Sequence, residues 1–161
     1  MKKINFCLKN HMINKSGNHF KIRHTVPVME RTGILLVGHG SKLPFNKDLV
    51  ESTGKTIAER HPEYIVKCAF MEISSPGIRQ CLDEFRSEKI DVLVIVPLFL
   101  AKGVHILKDI PELIGLPEGT KKGTFGMNGK SIPLVYAEPI GSAPVLADLM
   151  VQNARDALKL L

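Results

Sequence analysis

Four stretches of the chain are apolar with little alternation: GILLVG (33–38), IVKCAFM (65–71), DVLVIVPLF (91–99) and SIPLVYAE (131–138). A strand with one face in water alternates apolar and polar residues. A strand apolar on both faces needs cover on both sides, which is the position of parallel strands in a helix-clad sheet. Helical periods separate the four runs. Residues 45–60 place Phe45, Leu49, Thr53 and Ile57 four apart, and after Ser75 (as N-cap) and Pro76 (first helical position) the residues Ile78, Cys81, Leu82 and Phe85 form one stripe. A short helix after Gly103 carries Ile106, Leu107 and Ile110 and is disturbed by Pro111, and residues 143–161 carry Leu146, Met150, Ala154, Ala157, Leu158 and Leu161 on one face. The alternation predicts a three-layer α/β domain of flavodoxin-like type, with a four-stranded parallel sheet in the order 2-1-3-4 and right-handed crossovers. The segment PEGTKKGTFGMNGK (117–130), with four glycines and three lysines, has no clear period and is expected to be a long mobile loop before the fourth strand.

The formal net charge of +6 is uneven along the chain. Residues 1–28 hold Lys2, Lys3, Lys9, Lys15, Lys21 and Arg23 and no acidic residue, which leaves sixteen basic against sixteen acidic residues in 29–161. The globular part is formally neutral, so the charge does not indicate a nucleic-acid partner. Residues 1–28 have no helical or strand period and no apolar secretory core. They are expected to be a disordered basic extension, or to precede a start at Met29, with the domain spanning 29–161. The longest apolar run, Val92 to Ala101, is broken by Pro97 and falls short of the roughly 18 residues a membrane span needs. Cys7, Cys68 and Cys81 match neither a disulfide framework nor a CxxC site, and Cys68 and Cys81 read as small core residues of a cytoplasmic protein.

In an open parallel sheet, ligands bind beyond the carboxyl ends of the strands, near the point where the strand order reverses. His39, between Gly38 and Gly40, follows the first run; Glu72 follows the second; His105 follows the third across Leu100, Ala101, Lys102 and Gly103; Glu138 follows the fourth. With order 2-1-3-4, Glu72, His39 and His105 stand on adjacent strand ends, about 4.8 Å apart from strand to strand. Gly38 and Gly40 are expected to turn the backbone and keep the ring of His39 open to the cleft. A neutral imidazole there can hold a metal or take a proton. The GHGS stretch matches neither G-x-G-x-x-G nor the Walker pattern, so nucleotide binding has no support.

The stretches ILLVGHGS (34–41), AFMEISSPGI (69–78) and VPLFLAKGVHILKDIP (96–111) together resemble the short-form, archaeal-type sirohydrochlorin metallochelatases, over about residues 31–160. The resemblance implies a chelatase-like α/β fold and a homodimer, since longer relatives look like two such halves in one chain. It implies that His39 and His105 are the metal-binding pair and that Glu72 is the acidic residue of the same cleft. The implied activity is insertion of Co²⁺ or Ni²⁺ into sirohydrochlorin, toward cobalamin or a nickel tetrapyrrole. The metal is then a substrate, and no cofactor is permanently bound. Imidazoles suit this chemistry because they hold a borderline ion and accept protons, whereas a thiolate would retain the ion. Sirohydrochlorin is rich in carboxylates, so Lys102, Lys121 and Lys122, with Ser41 and Gly103 beside the histidines, are the expected substrate contacts. The rival expectations are iron insertion toward siroheme, a non-catalytic metal-delivery protein using the same histidines, and a flavodoxin-like binding module with structural histidines.

Overall fold

The computed structural model describes residues 31–161. The basic segment 1–28, Cys7 and Met29 lie outside the described residues. Strands and helices alternate except where β4 runs directly into β5: β1 (Thr32–Gly38), α1 (Pro44–Arg60), β2 (Tyr64–Phe70), α2 (Ile78–Phe85), β3 (Val92–Pro97), a π turn (His105–Asp109) continuing into α3 (Ile110–Leu113), β4 (Lys122–Met127), β5 (Lys130–Tyr136) and α4 (Pro144–Leu158). The sheet order is β2-β1-β3-β5-β4. The four apolar runs form the parallel strands β2, β1, β3 and β5 in the expected order, with β1 paired to β2 and β3 over nearly its whole length.

The fifth strand corrects the expected loop. Within 117–130, residues Lys122–Met127 pair antiparallel with β5, with Phe125 opposite Ile132 and Met127 opposite Lys130. Asn128 and Gly129 alone make the turn, and Gly129 takes φ +83°. An Asn-Gly pair between strands is a preferred two-residue hairpin connection, and here Gly129 supplies the positive φ. The hairpin covers the edge of β5 and buries Phe125 in the main core.

That core lies on one side of the sheet. Leu35, Val37, Leu93, Ile95 and Leu134 meet Ile78, Cys81, Leu82 and Phe85 of α2 and Ile106 and Ile110 of the helix after β3. The stripe expected for α2 is therefore the buried one, although the helix begins at Ile78 with Gly77 as N-cap, not at Ser75. Phe70 donates its N–H to the carbonyl of Pro76, which ties residues 71–77 back to the end of β2 before the helix can start. Cys81 is buried, and burial, with Glu84 nearby, pushes its thiol up to about 11, as expected of a packing residue.

The other side is thinner. Val50 of α1 packs with Leu36 and Phe70, helped by Ile57 and Cys68. The buried line of α1 runs through Val50 and Gly54, while Phe45 and Leu49 face solvent, contrary to the four-apart face read from sequence. Helix α4 forms as expected but buries none of its residues. Its apolar side chains Val145, Leu149, Met150, Val151 and Leu158 stay exposed, and Val94, Val96 and Val135 on the sheet are only partly covered. No helix among the described residues is long and apolar enough to cross a membrane.

Candidate metal centre at the carboxyl edge of the sheet

His39 is the first residue beyond β1. Gly38 serves packing more than turning: a Cβ there would meet Val50 of α1 at 2.5 Å. The turn belongs to Gly40, which holds φ +92° against the carbonyl of Glu72 and gives its N–H to Oδ1 of Asn46 at 3.0 Å. His39 is further framed by the main chain of Glu72, whose N–H donates to the His39 carbonyl at 3.0 Å.

His105 opens the π turn after β3. The N–H of Ile110 reaches back five residues to the His105 carbonyl. Pro111, one residue on, has no N–H to give Leu107, and its ring would crowd that carbonyl in a regular helix, so a widened turn relieves the conflict. The turn is anchored from the sheet by Tyr136 at the end of β5, whose hydroxyl donates to the Ile106 carbonyl at 3.0 Å. Burial, with Glu138 beside it, pushes that hydroxyl up to about 12, so it stays a donor at neutral pH.

The two rings meet at the edge of the sheet. Their centroids are 4.9 Å apart at 74°, and the Nε2 atoms are 3.3 Å apart, with Phe99 beside His39. The other nitrogens decide the tautomers. Nδ1 of His39 is 2.9 Å from the Gly40 carbonyl oxygen, which can only accept. Nδ1 of His105 is 2.7 Å from Oδ2 of Asp109, which accepts as a carboxylate. Both Nδ1 atoms therefore donate, and in the neutral rings both Nε2 atoms carry lone pairs facing each other. Two facing lone pairs repel unless a cation lies between them. With metal–nitrogen bonds of about 2.1 Å, a tetrahedral or octahedral ion sets its adjacent ligand nitrogens about 3.0–3.4 Å apart, which brackets the observed separation.

Not every residue expected at the site joins the pair. Glu72 is exposed and lines a neighbouring cleft with Asp109, Glu112 and Arg79. Among the described residues, no group of three His, Cys, Asp or Glu side chains is gathered closely enough to hold a metal ion. Ser41 turns its Oγ to accept from the Leu43 N–H at 3.1 Å, and its main chain pairs with Oγ of Ser74. Lys102 and Lys121 come together on Glu138, Lys102 at 3.3 Å; the bonds from Lys121 and Lys102 hold that carboxyl below the usual range. Lys122 belongs to β4 and is exposed there, and Gly103 has open space around it. Asp109, Asn46, Phe99 and Tyr136 were not singled out from sequence. For Asp109 a signal existed, since His105 and Asp109 are four apart in a helical segment.

The segments that follow the four parallel strands expose apolar side chains: Leu43 and Phe45 after β1, Ile73 after β2, Leu100, Val104 and Leu107 after β3, and Ile140 after β5. Phe45 is 74% exposed and Val104 67%. An exposed apolar collar of this kind marks an interaction surface or a ligand-binding groove.

The comparisons with known proteins agree with this architecture. The sirohydrochlorin cobaltochelatase of Methanococcoides burtonii is 40% identical over 129 residues, 80% of this chain and 98% of that protein. That of Methanosarcina barkeri is 42% identical over the same share of each chain. Among solved structures, the sirohydrochlorin chelatase SirB from Bacillus subtilis, in complex with cobalt, superposes with a TM-score of 0.65 at 21% identity, covering 78% of this chain and 50% of that one. The CbiX protein of Marinobacter aquaeolei superposes with a TM-score of 0.56 at 24% identity, covering 81% of this chain and 99% of that one. At these identities the structural likeness is one of fold. A family model described as CbiX matches residues 33–157, from the second residue of β1 to the last turn of α4. The sheet, the histidine pair and four-fifths of the sequence thus fall within a single pattern, and the chain belongs to the CbiX family.

Proposed function

We propose that this chain is a sirohydrochlorin metallochelatase that inserts Co²⁺ or Ni²⁺. The observation that carries the reading is the pair of histidine Nε2 atoms held 3.3 Å apart at the carboxyl edge of the sheet. Two nitrogen ligands, with no third His, Cys, Asp or Glu side chain gathered beside them among the described residues, leave most of the coordination shell open, so the ion can be passed to a tetrapyrrole. A storage or delivery site would be served better by a closed shell. As the ion enters the macrocycle, two pyrrole N–H protons leave; His39 and His105, freed of the metal, can receive them, and Glu72 in the adjoining cleft can accept protons or help strip water from the incoming ion. The apolar collar suits a flat macrocycle, and Lys102, Lys121 and Lys122 suit its carboxylates. Lys102 and Lys121 would exchange Glu138 for the substrate's carboxylates. The free thiols of Cys68 and Cys81 suit a reducing cytoplasm.

The metal test compares initial rates with Co²⁺, Ni²⁺ and Fe²⁺ under anaerobic conditions. A sulfur-free pair of imidazoles does not discriminate sharply among these ions, and affinity rises from Fe²⁺ to Ni²⁺. Insertion of both Co²⁺ and Ni²⁺ is expected, with Fe²⁺ slower. Turnover is expected to fall on acidification, because a protonated imidazole has no lone pair for the ion. Strict use of Fe²⁺, or rates indifferent to acid, would defeat this account of the site.

A homodimer is part of the same reading. It is supported by the exposed apolar face of α4, by the partly covered strands β3 and β5, and by the match to half of a chain twice as long. Light scattering is expected to give twice the mass of the chain, and Met150→Glu on α4 to shift it toward the monomer. A fully active wild-type monomer at working concentration would rule the dimer out.

A further inference from the structure

We infer that Asp109 is a positioning residue of the histidine pair: by accepting the Nδ1 proton of His105 it holds that ring in the one tautomer and direction that aim Nε2 at His39. The geometric part stands on the structure alone, and its consequence for metal rests on the chelatase reading above. The contact is short, 2.7 Å from Nδ1 to Oδ2, as expected of a bond to a carboxylate. It sits in the π turn, where residues four apart share one face and their side chains can meet. The turn thus brings the carboxylate of Asp109 to the Nδ1 edge of the His105 ring, and the Tyr136 hydroxyl on Ile106 pins the same turn to the sheet.

The two histidines differ in how they are held. His39 donates to the main-chain carbonyl of Gly40, a partner no substitution at that residue removes. His105 depends on a side chain. Without the Asp109 acceptor, its Nδ1–H loses its protein partner and the Nε2–H tautomer becomes open to it. In that tautomer a proton stands between the rings, where the ion belongs, and the lone pair points away. A carboxylate acceptor also makes the imidazole a better electron donor to a bound ion. Asp109→Asn keeps an acceptor oxygen but loses the charge, whereas Asp109→Ala loses both.

The test uses the full chain with ¹⁵N-labelled histidine and has a readout that needs no metal. Long-range ¹H–¹⁵N spectra of the metal-free protein, with His105→Ala to assign the signal, are expected to show His105 as Nδ1–H in the wild type. The Nε2–H form should gain population in Asp109→Ala. Titration with Co²⁺, followed by visible absorption, is expected to show about 10–100-fold weaker binding in Asp109→Ala and a smaller loss in Asp109→Asn. Wild-type His105 found as Nε2–H would overturn the proposal, as would variants matching the wild type in both tautomer and Co²⁺ affinity. If Asp109→Ala does not fold, Asp109→Asn carries the comparison: weaker Co²⁺ binding at an unchanged melting temperature supports the proposal, and unchanged binding overturns it. A wild type that shows Nδ1–H but binds no Co²⁺ defeats the metal reading and with it the ligand role of Asp109, whereas equal Co²⁺ binding by wild type and variants defeats Asp109 alone.

Discussion

Replacing His39 or His105 by alanine is expected to cut metal insertion by more than a hundredfold while moving the melting temperature little. The magnitude follows from a comparison of roles. Removing a partner that merely orients a metal ligand costs roughly 10–100-fold. Removing the ligand itself from a pair that has no third member among the described residues should cost more. Stability should hold because both rings are only partly buried and each is tied to the protein by one Nδ1 bond, a net contribution of about 1 kcal/mol. The measurements are steady-state insertion into sirohydrochlorin and a thermal melt on the same preparations. Near-normal turnover in either variant would remove that histidine from the site. Unfolding of either would make it a structural residue.

Gly40→Ala is expected to be the most damaging single-methyl change near the site. Its φ of +92° costs an L residue about 1–2 kcal/mol. In addition, the new Cβ would overlap the carbonyl oxygen of Glu72, a main-chain atom that cannot withdraw without moving the turn whose N–H bonds the His39 carbonyl. The total is about 3–5 kcal/mol, or roughly 10–20 °C in melting temperature, with loss of the His39 orientation and hence of turnover. Gly103→Ala is the control: a Cβ there meets nothing within 4 Å, so it should melt like the wild type. A Gly40→Ala protein that melts and turns over normally would show that the turn does not hold the histidine.

Much of the frame was legible in the chain because its signals are periodic and local. Runs apolar on both faces identified the four parallel strands, and helical spacing identified the buried stripe of α2. The hairpin was legible too, and was missed: Asn128-Gly129 is a hairpin signal, but the glycines at 119, 123 and 126 masked the strand before it. The exposed side of α1 was not legible. Phe45 and Leu49 fit a core stripe as well as Val50 and Gly54 do, and only the approach of the helix to β1 and β2 selects between them.

The sequence by itself determined which residues could reach the carboxyl edge of the sheet, because strand ends follow from where apolar runs stop. It placed His39 and His105 there. Only the tertiary structure decided which of the neighbouring residues join them. Side-chain direction at a strand end depends on the turn that follows, and the turn after β2 sends Glu72 into the next cleft. The π turn after β3 brings Asp109 to Nδ1 of His105. Tautomer is likewise a property of partners in space: a carbonyl one residue from His39 and a carboxylate four residues from His105 turn two ordinary imidazoles into facing lone pairs.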